Sequence, residues 1–417
     1  MGVLNKIWKE AKKPVSNQKG VALIVAISAL MLIMYFAMEV SYESNVEYIV
    51  NAQSLNRVKA YYAAKSGMQL SLLRIKIYQQ AQSQLGAQLG DSPMLDQIWQ
   101  FPFAWPLPVP PEMSAVDKDS FAKVVKESSM DASYIVTIED EGSKIDLNDL
   151  NSPSKYLREA TKQQLVNIFE QKKKDDEEFQ RKYSNFNFEE LVNNIADWQS
   201  DKSESLNGGA KSAKYGDLNR DTQDYYPPNR AFRTMAELHL VAGMEDDFYD
   251  LLEPRITIYG MKGINPNLAS KEVLKSLDPA MTDEAVAEII KRRSSEEEGG
   301  PFKCDQKEPK SPDFWDFVAS RGVRVLGNPD QIPMTCEKVM NFKIRSTGEF
   351  AGATREIIAI VMDLNRTAKK VKSYVDKEKA QANPTPTPTP SPTPQQNANQ
   401  KDPIPKGAPR VVYWSER

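Results

Sequence analysis

The alternation of apolar and polar positions changes its rhythm several times along the chain. From Val21 to Met38 eighteen residues are apolar with Ser28 as the one interruption. As a helix at about 1.5 Å per residue this run covers roughly 27 Å, close to a bilayer hydrocarbon core of about 30 Å. After Glu39 the apolar residues return at helical spacing, among them Val46, Ile49, Val50, Val58, Tyr61, Met68, Leu72 and Ile75, with Arg57, Lys59 and Lys65 between them. No Pro and no Gly other than Gly67 falls between Val21 and Leu85. The signals that end helices are therefore missing, and the pattern predicts one continuous helix running out of an apolar span into an amphipathic stem.

Farther along, "FPFAWPLPVPPEM" (101–113) is too rich in Pro for a helix or a central strand and reads as an extended connection. "ASYIVTIED" (132–140), "FKIRSTGEF" (342–350) and "REIIAIVMDL" (355–364) have the composition of β-strands. The first is separated from the other two by about two hundred residues of helical pattern and turns, which marks an insertion. The chain thus reads as α+β, a long N-terminal helix packed on a small antiparallel sheet, with a large, mainly helical domain inserted between strands. From 384 the tract "PTPTPTPSPTP" is a polyproline-type spacer that cannot bury a core, and the closing "VVYWSER" (411–417) is expected to lack fixed structure with the rest of the tail.

Composition narrows the chemistry. The net charge of -3 gives no general attraction to nucleic acid, and one histidine (His239) with two cysteines (Cys304, Cys336) leaves little material for zinc sites or His-dependent triads. No G-x-S-x-G, H-E-x-x-H or P-loop pattern is present, and His239 between Leu238 and Leu240 reads as a packed or surface side chain. An enzyme is not expected. Before the apolar run, Lys6, Lys9, Lys12, Lys13 and Lys19 outnumber the single Glu10, which keeps the first residues in the cytoplasm and sends the bulk of the chain outward.

Three readings of this start compete. A cleaved secretory signal needs small residues at its far edge, where "FAMEVSYES" offers only Ala37. A plain signal anchor is the second reading. The third is a prepilin arrangement, with cleavage between Gly20 and Val21, and the unbroken helix beyond the span favours it.

"KGVALIVAISALML" (19–32), followed by "NRVKAYYAAKSGMQLSLL" (56–73), resembles the start of the general secretion pathway protein K family, the large minor pseudopilins of type II secretion systems. "EDEGSKIDLNDLN" (139–151), "LVNNIADWQSD" (191–201), "YYPPNRAFRTMAELHLVAGM" (225–244) and "LLEPRITIYGMKGINPNLAS" (251–270) continue the resemblance in the family's order.

The resemblance implies a pilin-like layout. It consists of a leader (1–20), the transmembrane half of the helix (21–40), the stem, Pro-rich connection and first strands (41–151), the inserted helical domain (152–324) and the returning strands (325–365), while the charged, Pro/Thr-rich tail (366–417) lies beyond the resemblance. It implies a single-pass inner-membrane protein with its C-terminal bulk in the periplasm. A prepilin peptidase would process it and its new amine would be methylated. Other minor pseudopilins and the major pseudopilin would be its partners, and its function would be to initiate the pseudopilus from the tip and support export of folded proteins across the outer membrane. The fifth residue after the cleavage point is Val25, where pilin-like subunits generally carry a glutamate that pairs with a neighbour's N-terminal amine. A subunit with no predecessor does better without that buried carboxylate, which makes Val25 a tip determinant.

The family also binds Ca2+ through an acidic loop after its "DW" motif. Asp197 and Asp201 match that loop, while Ser200, Lys202 and Lys211 stand where acids are expected. Calcium takes six to eight oxygens, and "DLNRDTQD" offers a relocated set in Asp217, Asn219, Asp221 and Asp224. Cys304 and Cys336, on the oxidising side of the membrane, are expected to form a disulfide. A rival class comes from "INPNLASKEVLKSLDPAMTDEAVAEIIKRR" (264–293), two helices around a turn as in DNA-binding helix-hairpin-helix motifs, which would suit a DNA-uptake or adhesive pilus-tip protein. Its turn carries Asp278 and Asp283 and no Gly, so no nucleic-acid partner is expected.

Overall fold

The computed structural model describes residues 18–89, 93–107, 118–119, 123, 125–128, 130–221, 225–295, 297–302, 314–336, 339, 341–382 and 409–417. Helix α1, Gln18–Leu89, is unbroken over 72 residues, or roughly 108 Å at the usual rise. Every residue from Gly20 to Asn51 is exposed, and burial begins at Ala60. From there Ala60, Ala63, Ala64, Gly67, Met68, Ser71, Ile75 and Tyr78 are buried, at steps of one to four residues that keep to one helical face.

That face lies on an antiparallel sheet of five strands in the order β1-β2-β5-β6-β7. The strands are β1 (Phe103–Trp105), β2 (Ser133–Asp140), β5 (Phe342–Phe350), β6 (Ala353–Val361) and β7 (Val411–Glu416). In β2 the inward Tyr134, Val136 and Ile138 alternate with outward Ile135, Thr137 and Glu139, the period-two signature of a half-buried strand.

Helix and sheet meet at backbone distance. A Cβ on Gly348 would stand 2.1 Å from the Ala60 carbonyl oxygen, and one on Gly67 would stand 2.6 Å from Ser346 Oγ. Ser346 Oγ donates to the Ala64 carbonyl at 2.7 Å. The small residues of "AYYAAKSG" are therefore the surface that lets α1 lie flat on β5. At the far end α2 (Pro93–Gln100) closes the core, where Tyr78, Trp99 and Phe342 meet edge to face with centroids 5.4 to 6.3 Å apart. The β5–β6 turn has Ala351 and Gly352 at φ 47° and 77°, the two positive values that a tight primed hairpin turn needs.

Between β2 and β5 the chain builds a second core whose buried members run from Ile145 to Val323. Its helices are α3 (Lys155–Asp175), α4 (Glu177–Lys182), α5 (Phe188–Gln199), α6 (Gly216–Asp221), α7 (Asp246–Leu252), α8 (Lys271–Lys275), α9 (Asp283–Ser294) and α10 (Phe314–Ser320). Phe169 and Phe188 stack at its centre, and Phe248 meets both edge to face. A short parallel pair, β3 (Ile145–Asp146) with β4 (Ile256–Thr257), holds the entry to this domain. Ile145, Leu147 and Leu150, assigned from sequence to the sheet domain, thus pack into the insert. The two domains are stitched where Glu141 N donates to the Asn341 carbonyl and Asn341 Nδ2 to the carbonyls of Tyr259 and Gly260.

The tail differs from expectation at both of its described ends. Residues 364–382 form α11 (Leu364–Ala382), in which Thr367, Val371, Tyr374 and Glu378 recur at helical spacing, with Tyr374 donating to the Met334 carbonyl and Glu378 reaching the head of α3. Glu378 sits at the N-terminus of α3, accepting from Ser154 Oγ at 2.5 Å and from the amides of Lys155 and Tyr156 at 3.0 Å each. "VVYWSER" supplies β7, which pairs with β6 at the sheet edge and brings Tyr413 against Tyr259 of the insert. The Pro/Thr tract between them and most of the 1–20 leader lie outside the described residues.

Candidate functional site

The first candidate surface is the free half of α1. Gly20 is open on all sides, with nothing within 4 Å of a Cβ placed there, and Val21 and Val25 are both 62% exposed. The apolar window of this helix makes no contact with the rest of the protein, and it is long and apolar enough to cross a membrane.

The second is the acidic loop after α5. Asn187 caps this helix by accepting from Glu190 N at 3.2 Å, and its last turn buries Asp197 and Trp198. The Asp197 carboxylate is turned into the following loop, where it accepts from Ser205 Oγ at 2.6 Å and from Leu206 N at 3.0 and 3.1 Å. The loop folds back through Gly208 and Gly209, both at positive φ, so that Ala210 bridges to Glu204. This return carries Lys211 under the C-terminus of α5. Its Nζ donates to the Asp197 carbonyl at 2.9 Å, the Ser200 carbonyl at 2.6 Å and Asn229 Oδ1 at 2.8 Å. Burial pulls this ammonium below the ordinary lysine range, against the opposing pull of Asp197 and Asp201.

The loop does not fit a calcium ion. The point where its oxygens converge is filled by a cation that belongs to the chain, and the Asp197 carboxylate is already spent on loop donors. Nor do Asp217 and Asn219, the relocated candidates whose side chains are described, converge. Residues 216–221 are helix α6, in which positions i and i+2 point apart. Asp217 pairs with Arg220 in solvent, whereas Asn219 is turned to the backbone of Tyr226. Asp221 ends the helix, and Asp224 lies outside the described residues. Among the described residues no group of three or more His, Cys, Asp or Glu side chains is placed to hold a metal.

Residues 143–261 match the family described as Type II secretion system (T2SS), protein K. The match takes in "LVNNIADWQSD", the Lys211 loop and "YYPPNRAFRTMAELHLVAGM", so the resemblance read from those motifs is borne out there. The chain is also similar, at 16% identity and a TM-score of 0.49, to a chain of the crystal structure of the GspK-GspI-GspJ complex from the enterotoxigenic Escherichia coli type 2 secretion system, covering 76% of this chain and 95% of that one. No curated protein matches the chain.

Within the matched segment His239 stacks on Tyr249 with centroids 3.9 Å apart and faces Asp246 at 3.7 Å, as a surface packing residue does. Beyond the segment, the turn "LDPAMTDE" spends its acids locally. Asp278 accepts from Ala280 N and Leu326 N, and Asp283 pairs with Lys271 and Lys275. Cys336 is half-buried at the edge of the insert core and carries a disulfide, while Cys304 lies outside the described residues.

Sequence reasoning missed a second buried charge centre. Asp146 and Asp149 face Lys262, whose Nζ donates to them at 2.5 and 2.8 Å, and Asp146 also accepts from Asn148 N and Gly260 N. Burial, with repulsion from Asp146, pushes the Asp149 carboxyl up to about 7 against the pull of Lys262. The only signal was the D-x-x-D spacing inside "KIDLNDLN", which by itself does not name a partner more than a hundred residues away.

Proposed function

We propose that this chain is the minor pseudopilin at the tip of a type II secretion pseudopilus, where it initiates assembly with other minor pseudopilins and so supports export of folded proteins across the outer membrane. The observation that carries the reading is the division of α1. One continuous helix is bare and apolar over its first half and tied to a sheet over its second, so the same element anchors the subunit in the inner membrane and joins a helical filament core. Val25 supports the tip position, since a subunit without a predecessor has no amine to offset a carboxylate in that core. Open access at Gly20 supports cleavage there by a prepilin peptidase, with methylation of Val21.

Co-expression with the major subunit, followed by labelling of this protein in the filaments, tests the position. Label at one end is expected, and label along the shaft, or undiminished secretion after deletion, refutes it. Intact-mass analysis of the membrane form should show the chain starting at Val21, and a bulky residue in place of Gly20 should leave the leader attached.

A further inference from the structure

We infer that the loop between α5 and α6 is organised by a built-in cation, the Lys211 ammonium, and therefore holds its shape without any external divalent ion. Three features of the site are those of a cation cage. Asp197 and Ser200 contribute carbonyls at the C-terminal end of α5, where the last turn leaves acceptors unpaired and the helix dipole is negative. Asn229 adds a side-chain oxygen from a separate segment, held by a backbone at φ 51°. Two carboxylates, Asp197 and Asp201, bias the surroundings toward positive charge. A lysine ammonium has three donors, and here each has its own oxygen at 2.6 to 2.9 Å.

The residue is 3% exposed, a degree of burial a lysine tolerates only when paired. Its backbone completes the closure, since Lys211 N donates to the Ser203 carbonyl at 3.1 Å. The side chain thus ties the end of α5, the glycine turn and the Asn229 segment to one point. A divalent ion placed there would meet the ammonium at contact distance and would lack the six or more oxygens it needs.

The test uses the full-length protein in detergent micelles, melted in millimolar calcium and in chelator, with trypsin cleavage at exposed Lys202 as a local readout. The wild type should melt at the same temperature in both and stay resistant at Lys202. Lys211→Met, which keeps the length and removes the charge, should melt at least about 4 °C lower in both conditions and be cut at Lys202 roughly tenfold faster. Lys211→Asp should become calcium-responsive, melting higher in calcium than in chelator. A calcium-raised melting temperature in the wild type would overturn the inference. So would a Lys211→Met variant with unchanged melting and cleavage, or a folded Lys211→Asp variant indifferent to calcium.

Discussion

Where α1 crosses the sheet, two backbones touch at Gly348 under Ala60, and Gly67 makes room for the Ser346 side chain; in the helical insert buried charge takes over the organising role. The difference follows from element length. A long stem on a five-stranded sheet satisfies its own backbone groups and needs only a smooth surface to dock. Apart from α3, the insert is made of short helices and connecting loops, whose end amides and carbonyls must find partners one at a time. Lys211 satisfies two carbonyls at once, Glu378 two amides at the head of α3, and Asp146, held by Lys262, the amides of Asn148 and Gly260. The lesson is that small residues fix the first region and long charged ones the second, so the two should fail under different substitutions.

The largest effect is expected from Gly348→Val, because the new side chain meets main chain rather than a movable side chain. A loss of more than about 4 kcal/mol is expected in denaturant unfolding, concentrated in the sheet unit. A cost under about 1 kcal/mol would mean that the close approach is not what holds α1. In the insert, Asp146→Ala leaves Lys262 with Asp149 alone and two amides unpaired, and should cost about 3–5 kcal/mol. Pairing Asp146→Leu with Lys262→Met should cost less than Asp146→Ala alone, and a double variant worse than the single one would contradict the view that the ammonium needs its carboxylates.

The proposed Cys304–Cys336 disulfide closes a loop of 32 residues, worth about 3–4 kcal/mol in the chain-entropy model. Replacing both by Ser should lower the melting temperature of the insert and leave the sheet unit alone. Free-thiol labelling of both cysteines in protein taken from the periplasmic side would exclude the bond.

Smallest and most specific are two pH effects of opposite sign. Burial pushes Glu378 up, but its bonds from Ser154, Tyr156 and Lys155 prevail and hold it below the ordinary 4.5. A depressed carboxylate stabilises above its unfolded value, and this contribution is lost as pH falls through the lower folded one. Asp149 is raised from 3.8 to about 7, so its contribution is full below 3.8 and is lost as pH rises through about 7. Stability measured against pH should therefore lose its acid-side decline in part with Glu378→Gln, at a cost of about 1 kcal/mol at neutral pH, and its decline between those two values with Asp149→Asn. Profiles that both variants leave unaltered would break the assignment.

Most of the architecture was legible before the structure. The span, the stem, the strands and the fact of an insertion all rest on periodicity, which is local. The "DW" helix end and the glycine at position 67 were visible as motifs, and Lys211 stood out as a cation among expected acids. The tail was misread because the Pro/Thr tract dominates its composition. The helical spacing of Thr367, Val371, Tyr374 and Glu378 was present in the sequence, and so was the alternation of "VVYWSE", but β7 finds its partner only across the spacer.

What the sequence determined by itself is whatever depends on neighbours in the chain, because helix length, strand period and the apolar span are written within a few turns of backbone. What tertiary structure decided is where unlike segments converge on one atom. Lys211 Nζ is claimed by oxygens at 197, 200 and 229, and Lys262 by carboxylates at 146 and 149. The same four residue types, strung along a chain, read equally well as a solvated charge, a salt bridge or a metal site. The choice among these is made by burial, since taking an ammonium out of water is tolerated only where its donors are all met, and no local pattern records which distant oxygens will meet them.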